Sequence, residues 1–131
     1  MPRLNSSIET RRMTDVAYLI VAAGRLDESQ TSLLEDELLR IIDRSVSAVV
    51  VELTHIEDVE PGALDVLERA AKCLRLRGGT LLLAVRESGT SYQLEPVEPN
   101  AAERLRGLHP ALDAAITERV FSAVEKSPGS A

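Results

Sequence analysis

The sequence predicts a single α/β domain on a mixed sheet of four to five strands with about four helices. Three observations carry this. Apolar runs stand at residues 16–23, 48–53 and 80–85, each short enough for a strand buried within a sheet. Two amphipathic segments lie between them, so strand, helix and strand alternate twice. Turn and cap residues fall at the joints: Gly24, Pro61 and the Gly78-Gly79 pair.

Taken in order, the polar alternating stretch at residues 8–13 reads as an edge strand, followed by a short turn at Thr14-Asp15 and the buried strand 16–23. Gly24-Arg25-Leu26-Asp27 breaks that run. Leu34, Leu38, Ile41 and Ile42 then recur at helical spacing, and two capping boxes compete for the helix start, Asp27 with Gln30 and Ser32 with Glu35. Residues 48–53 are β-branched and apolar on both faces, which marks the central strand. An acidic loop follows, carrying His55, Glu57, Asp58 and Glu60. Pro61 suits the first turn of the next helix, where its missing N–H has no partner to lose. In that helix Leu64, Leu67, Ala71 and Leu74 share one face, with Asp65, Glu68, Lys72 and Arg75 opposite. Gly78-Gly79 closes it, and residues 80–85 form the next buried strand. Residues 86–100 read as a long polar loop, followed by a short helix at 101–108 and a break at His109-Pro110. A short strand near 114–116 and a last helix at 117–126 complete the order. Residues 1–7 and 127–131 are expected to be flexible ends around a domain at 8–126.

Composition narrows the function. The 131 residues carry 15 Lys+Arg against 21 Asp+Glu, a net charge of −6, and three aromatic side chains, Tyr18, Tyr92 and Phe121. Nucleic acid calls for a basic face and stacking rings, so it is not an expected partner. The apolar runs are far shorter than the ~20 residues of a membrane helix, so no membrane insertion is expected. One cysteine and the absence of a basic segment followed by an apolar run at the start point to the cytoplasm.

Catalytic chemistry finds little to stand on. His55 and His109 are the only imidazoles, and neither lies in a nucleophile motif. Cys73, at the border of its helix's apolar face beside Val66 and Ala70, reads as a buried structural thiol. Gly78-Gly79 follows a helix, whereas phosphate-cradling glycines precede one. His55, Glu57, Asp58 and Glu60 lie within six residues, but their spacing fits no metal-ligand pattern, so neither metal nor cofactor is expected. They read instead as a solvated loop, with Glu60 favourable at a helix N-terminus.

At this point the residues resemble a family. Gly24-Arg25-Leu26-Asp27 before a helix is similar to the Gly-Glu-Leu-Asp signature of STAS domains, the bacterial anti-sigma factor antagonists. The stretch from Val50 to Leu64 is similar to that family's strand, loop and helix start, V-V-L-D-L-S-x-V-x-F-[IM]-D-S-S-G-L, and Gly78-Gly79 falls at the family's spacing. The likeness runs over about residues 8–126.

The resemblance implies a non-enzymatic module, a monomer or weak homodimer, that binds an anti-sigma factor of the ATP-binding serine kinase type and so releases a sigma factor. It implies a contact surface at Thr54, His55, Glu57, Asp58, Glu60, Pro61, Gly62 and Ala63, continued on the helix by Asp65, Glu68, Arg69 and Lys72. In the family the kinase phosphorylates the second serine of Asp-Ser-Ser-Gly, which ends the contact. An ungapped match sets Gly62 there, and a one-residue slip sets Pro61, so neither register supplies a hydroxyl. The domain is then either a constitutive antagonist, or its acidic loop mimics the phosphorylated state and kinase binding is lost. Thr54, Ser88, Thr90 and Ser91 are alternative acceptors. Two other functions compete: a regulatory or scaffold subunit of a stress-signalling or transport complex, and a small-ligand binder or enzyme using His55 and Glu60 as acid and base.

Overall fold

Apolar residues that alternate along one segment and recur every three to four along the next can be buried together only if the helices lie on a sheet. The computed structural model describes residues 6–86, 91–99 and 102–126, with only the backbone of 124–126. The expected flexible ends, apart from Ser6 and Ser7, fall outside these residues, as do Ser88 and Thr90. The elements are β1 (Ser7–Arg12), β2 (Ala17–Leu26), α1 (Glu28–Ile42), β3 (Ala48–Val59), α2 (Pro61–Leu76), β4 (Thr80–Arg86), β5 (Tyr92–Pro96), a 3-10 turn (Ala102–Leu105) and α3 (Pro110–Lys126). The five strands stand in the order β1-β2-β3-β4-β5, as a mixed sheet. β2, β3 and β4 are parallel, and the edge strands β1 and β5 are antiparallel to their neighbours.

Both parallel connections step the same way across the sheet, so right-handed crossovers put α1 and α2 on one face. They pack on each other there, and α3 joins them against α2 and β3. Beneath lie Ile20, Val49, Val51, Leu81 and Leu83, each 1% exposed or less, against Leu34, Leu38, Leu64, Leu67, Leu74 and Leu112 from the helices. The register brings the other face into rows. Glu9, Val21, Glu52, Ala84 and Leu94 form one; Arg11, Leu19, Val50, Leu82 and Pro96 form the next.

The helix ends follow from their residues. Of the two competing capping boxes, Asp27 prevails: its Oδ1 accepts from the Gln30 N–H at 3.1 Å, which holds the Asp27 carboxyl below its usual range. Gly78 takes φ +82°, and the N–H groups of Gly78 and Gly79 reach back to Arg75 and Leu74 to close α2.

Several expectations are corrected. Gly24-Arg25-Leu26 does not break the strand: β2 continues to Leu26, with Gly24 at φ +79° pressed against Ser6. The polar stretch 86–100 contains the edge strand β5, whose Pro96 is tolerated at a strand end. The helix at 101–108 shrinks to the single 3-10 turn. No strand forms at 114–116. Pro110 opens α3 instead of marking a break, and Ala111, Leu112, Ala115 and Ile116 form a buried helical stripe. Among the described residues three α-helices and one 3-10 turn therefore stand where about four helices are expected. Cys73 is exposed rather than buried, in a surface depression bordered by Leu39, Asp43, Leu76 and Arg77 between the C-terminal ends of α1 and α2.

Candidate functional site

The junction from β3 into α2 collects most of the residues singled out by sequence. Its geometry begins in β3. Pairing with β4 ends at Glu52↔Ala84, while β3 runs on beside β2 to Val59↔Leu26. Residues 54–59 are therefore a strand arm, not the loop the sequence predicts. Two register shifts place extra residues in β3, between the pairs Val21↔Glu52 and Ala23↔His55 and between Gly24↔Ile56 and Arg25↔Asp58. Such bulges re-aim side chains. Here Leu53, Ile56 and Val59 point into the core, and His55, Glu57 and Asp58 stand in solvent.

The arm is tied at both ends. The Thr54 hydroxyl accepts from the Arg86 backbone N–H at 2.9 Å, bridging β3 and β4 where they part. The Glu60 N–H donates to the Leu26 carbonyl at 3.0 Å. Glu60 is the N-cap of α2 but makes no side-chain cap bond, and Pro61 follows at the first helical position. Its carboxylate lies over Gly62 instead: a Cβ built there meets Glu60 Oε1 at 2.7 Å. Pro61, Gly62 and Glu60 are partly exposed, whereas Ala63 is fully buried and belongs to the core.

Along the outer face of α2 the charges are held by neighbouring helices. Arg119 of α3 donates to Asp65 Oδ1 at 2.9 Å and to both Glu68 oxygens at 2.9 and 3.2 Å, and Arg69 donates to Glu35 of α1 at 2.9 Å. The two carboxylates hold the Arg119 guanidinium above its usual pKa, Glu68 foremost. Asp65, Glu68, Arg69 and Lys72 line a shallow depression with Pro99. Sequence reasoning misses Arg119, because nothing local in the chain links position 119 to positions 65 and 68.

His109 supports the junction from below. It is the residue before α3, and its Nδ1 accepts from the Ala111 N–H at 3.0 Å while the Thr54 backbone accepts from the ring. Burial lowers its pKa, partly offset by Asp113 and by the Thr54 bond. The neutral ring is the form that can cap Ala111. A folded pKa below the unfolded value means that this stabilisation is full above the ordinary imidazole range and fades as the pH falls through it. His109→Asn keeps a cap but does not titrate. Urea midpoints followed from pH 7.5 to 5 should therefore fall further for the wild type than for His109→Asn, and parallel profiles would contradict the assignment.

Among the described residues no three His, Cys, Asp or Glu side chains stand close enough to hold a metal ion. Among the same residues no helix is long and apolar enough to cross a membrane.

The architecture is thus a one-sided α/β layer with an exposed strand arm feeding a helix start. The family model for the STAS domain matches residues 7–90, and the chain belongs to that family. Solved structures share the fold. SpoIIAA, an anti-sigma factor antagonist in its unphosphorylated form, superposes with a TM-score of 0.59 at 13% identity, covering 88% of this chain and 97% of that one. An anti-sigma factor antagonist from Mycobacterium paratuberculosis gives 0.54 at 18% identity, over 88% and 93%. The structure of Mglu gives 0.52 at 14%, over 61% of this chain and 20% of that one. No curated protein sequence matches the chain.

Proposed function

We propose that this domain is a non-enzymatic antagonist that works in the cytoplasm by binding an anti-sigma factor of the ATP-binding serine kinase type, thereby freeing the sigma factor. The observation that carries the reading is the junction itself. An exposed arm (His55, Glu57, Asp58) leads to a partly exposed helix start (Glu60, Pro61, Gly62), on a fold shared over 88% of the chain with two anti-sigma factor antagonists. Thr54 positions the arm from within. Asp65, Glu68, Arg69 and Lys72 extend the contact along α2, with Asp65 and Glu68 already oriented by Arg119. Ala63 contributes from the core by fixing the first turn.

The same junction lacks a hydroxyl at Pro61 and Gly62, the two positions that align with the family's phosphoserine. In the ungapped match Glu60 falls at the family's own aspartate, so in that register its single charge replaces nothing. Of the two opposed readings, a constitutive antagonist fits better than a mimic of the phosphorylated state: Glu57 and Asp58 stand in solvent on the arm, and the one carboxylate lying over Gly62, that of Glu60, supplies less charge than a phosphate's about −1.5 to −2. The test is size-exclusion chromatography of the chain with an anti-sigma kinase loaded with its sigma factor. Sigma should be displaced equally with and without ATP. No complex at micromolar concentrations overturns the proposal, and displacement that ATP abolishes overturns its constitutive part.

A further inference from the structure

The sheet face turned away from the helices carries a second surface. Leu19, Val21, Val50 and Leu82 lie on it partly exposed, and Leu94 stands 51% exposed at its β5 edge. Among the described residues α1, α2 and α3 all lie on the opposite face. With strands about 4.8 Å apart the five span about 19 Å, the length of about 13 helical residues.

A carboxylate sits at the centre of this apolar field. Glu52 lies in the middle strand, in the row of Val21, Ala84 and Leu94, and is 9% exposed. Its one hydrogen bond is long and neutral: Tyr92 reaches across β4 so that its hydroxyl donates to Glu52 Oε1 at 3.4 Å. Arg86 stacks over the Tyr92 ring at 5.4 Å and donates to the Tyr92 hydroxyl at 3.0 Å, and no ion pair engages Glu52 among the described residues.

A wholly apolar cover would take the last water from this carboxylate and leave it only the charge of Arg86, one hydrogen bond removed beyond Tyr92, which is costly. A second copy of the chain would do little better. Among the described residues the cations it brings on this face are Arg11, at the β1 edge and paired with Glu9; Arg25, at the far end of β2 near Asp27; and Arg86, held on Tyr92. We infer that this face docks an amphipathic helix of a partner protein, apolar along its contact stripe and carrying one Lys or Arg within that stripe to pair with Glu52. Sheets of this layer type bury an open face under helices, and charge complementarity at the centre fixes the register of the docked helix. The surface lies on the opposite side of the sheet from α2, so it leaves the α2 face free.

The test is an NMR titration of the isotope-labelled full chain with an amphipathic helical peptide of about 14 residues, whose Leu/Ala stripe carries one central Lys. Two control peptides carry Leu or Glu at that place. The Lys peptide should shift the amides of residues 19–21, 50–52 and 82–84 and bind at least about tenfold tighter than the Leu peptide. Glu52→Gln, which keeps the shape, should abolish that preference. Leu94→Asp, at an exposed edge position where folding is insensitive, should weaken the Lys and Leu peptides alike while circular dichroism stays unchanged. Equal affinity for the Lys and Leu peptides overturns the inference. So do shifts confined to other faces, no shifts at millimolar peptide, or a dimer in sedimentation that Leu94→Asp dissolves.

Discussion

Replacing Gly62 by serine is expected to leave the fold intact and to make antagonist binding responsive to ATP. The steric effect is local. A Cβ at position 62 meets only the Glu60 carboxylate, at 2.7 Å to Oε1 and 3.5 Å to Cδ, and this is the far end of a flexible side chain that can swing into solvent. Serine is also well suited to the first turn of a helix, so the unfolding free energy should change by no more than about 0.5 kcal/mol. The functional effect is far larger. Phosphate on that serine would add about −1.5 to −2 charges beside Glu60 and within reach of Glu57 and Asp58 on the preceding arm. After incubation with the kinase partner and ATP, Gly62→Ser should carry one phosphate by mass spectrometry and lose at least about tenfold in affinity for that partner, through like-charge repulsion and lost packing. The wild type should remain unmodified and bound. A variant that becomes phosphorylated yet binds as before would sever the link between this position and partner release.

The second large effect is expected in the core beneath the same junction. Leu53 is 1% exposed and stands immediately past Glu52, where β3 leaves β4 and continues beside β2 alone. Few neighbours there can close a gap, because the arm is pinned by the Thr54–Arg86 and Glu60–Leu26 hydrogen bonds. Leu53→Ala should therefore lower the unfolding free energy by about 2–5 kcal/mol in urea titrations, the range for a buried leucine truncated where collapse is incomplete. A loss below about 1 kcal/mol would mean that the arm is looser than its bonding implies. Such a loss would also weaken the case for a preformed partner surface.

What could be read from the chain alone divides along physical lines. The buried strands and the first two helices are legible because their patterns are uninterrupted: Val49, Val50 and Val51 have no helical reading in so short a run, and Leu34, Leu38 and Ile41 have no strand reading. The arm at 54–59 is illegible because two bulges break the two-residue alternation by which strands are recognised. β5 is hidden by its polar composition and by Pro96 at its end, although the alternation Tyr92-Gln93-Leu94-Glu95 carries the signal. Pro110 misleads because a proline that ends one helix and a proline that opens the next look alike without the residues that cap them. For the site, the position of the junction and its missing hydroxyl are already in the sequence. The clasp of Arg119 on Asp65 and Glu68, and the approach of Tyr92 to Glu52, depend on which helices and strands become neighbours. No local rule supplies that.

The strand order has a consequence for how the molecule comes into being. Each strand pairs with those next to it in the chain, so no gap in the sheet waits for a segment made later. During synthesis, β1, β2, α1 and β3 can assemble as they emerge, and each later unit adds to an edge already in place. Loop closures stay short, which favours rapid folding for a mixed sheet and limits the time during which a bare edge strand is open to aggregation.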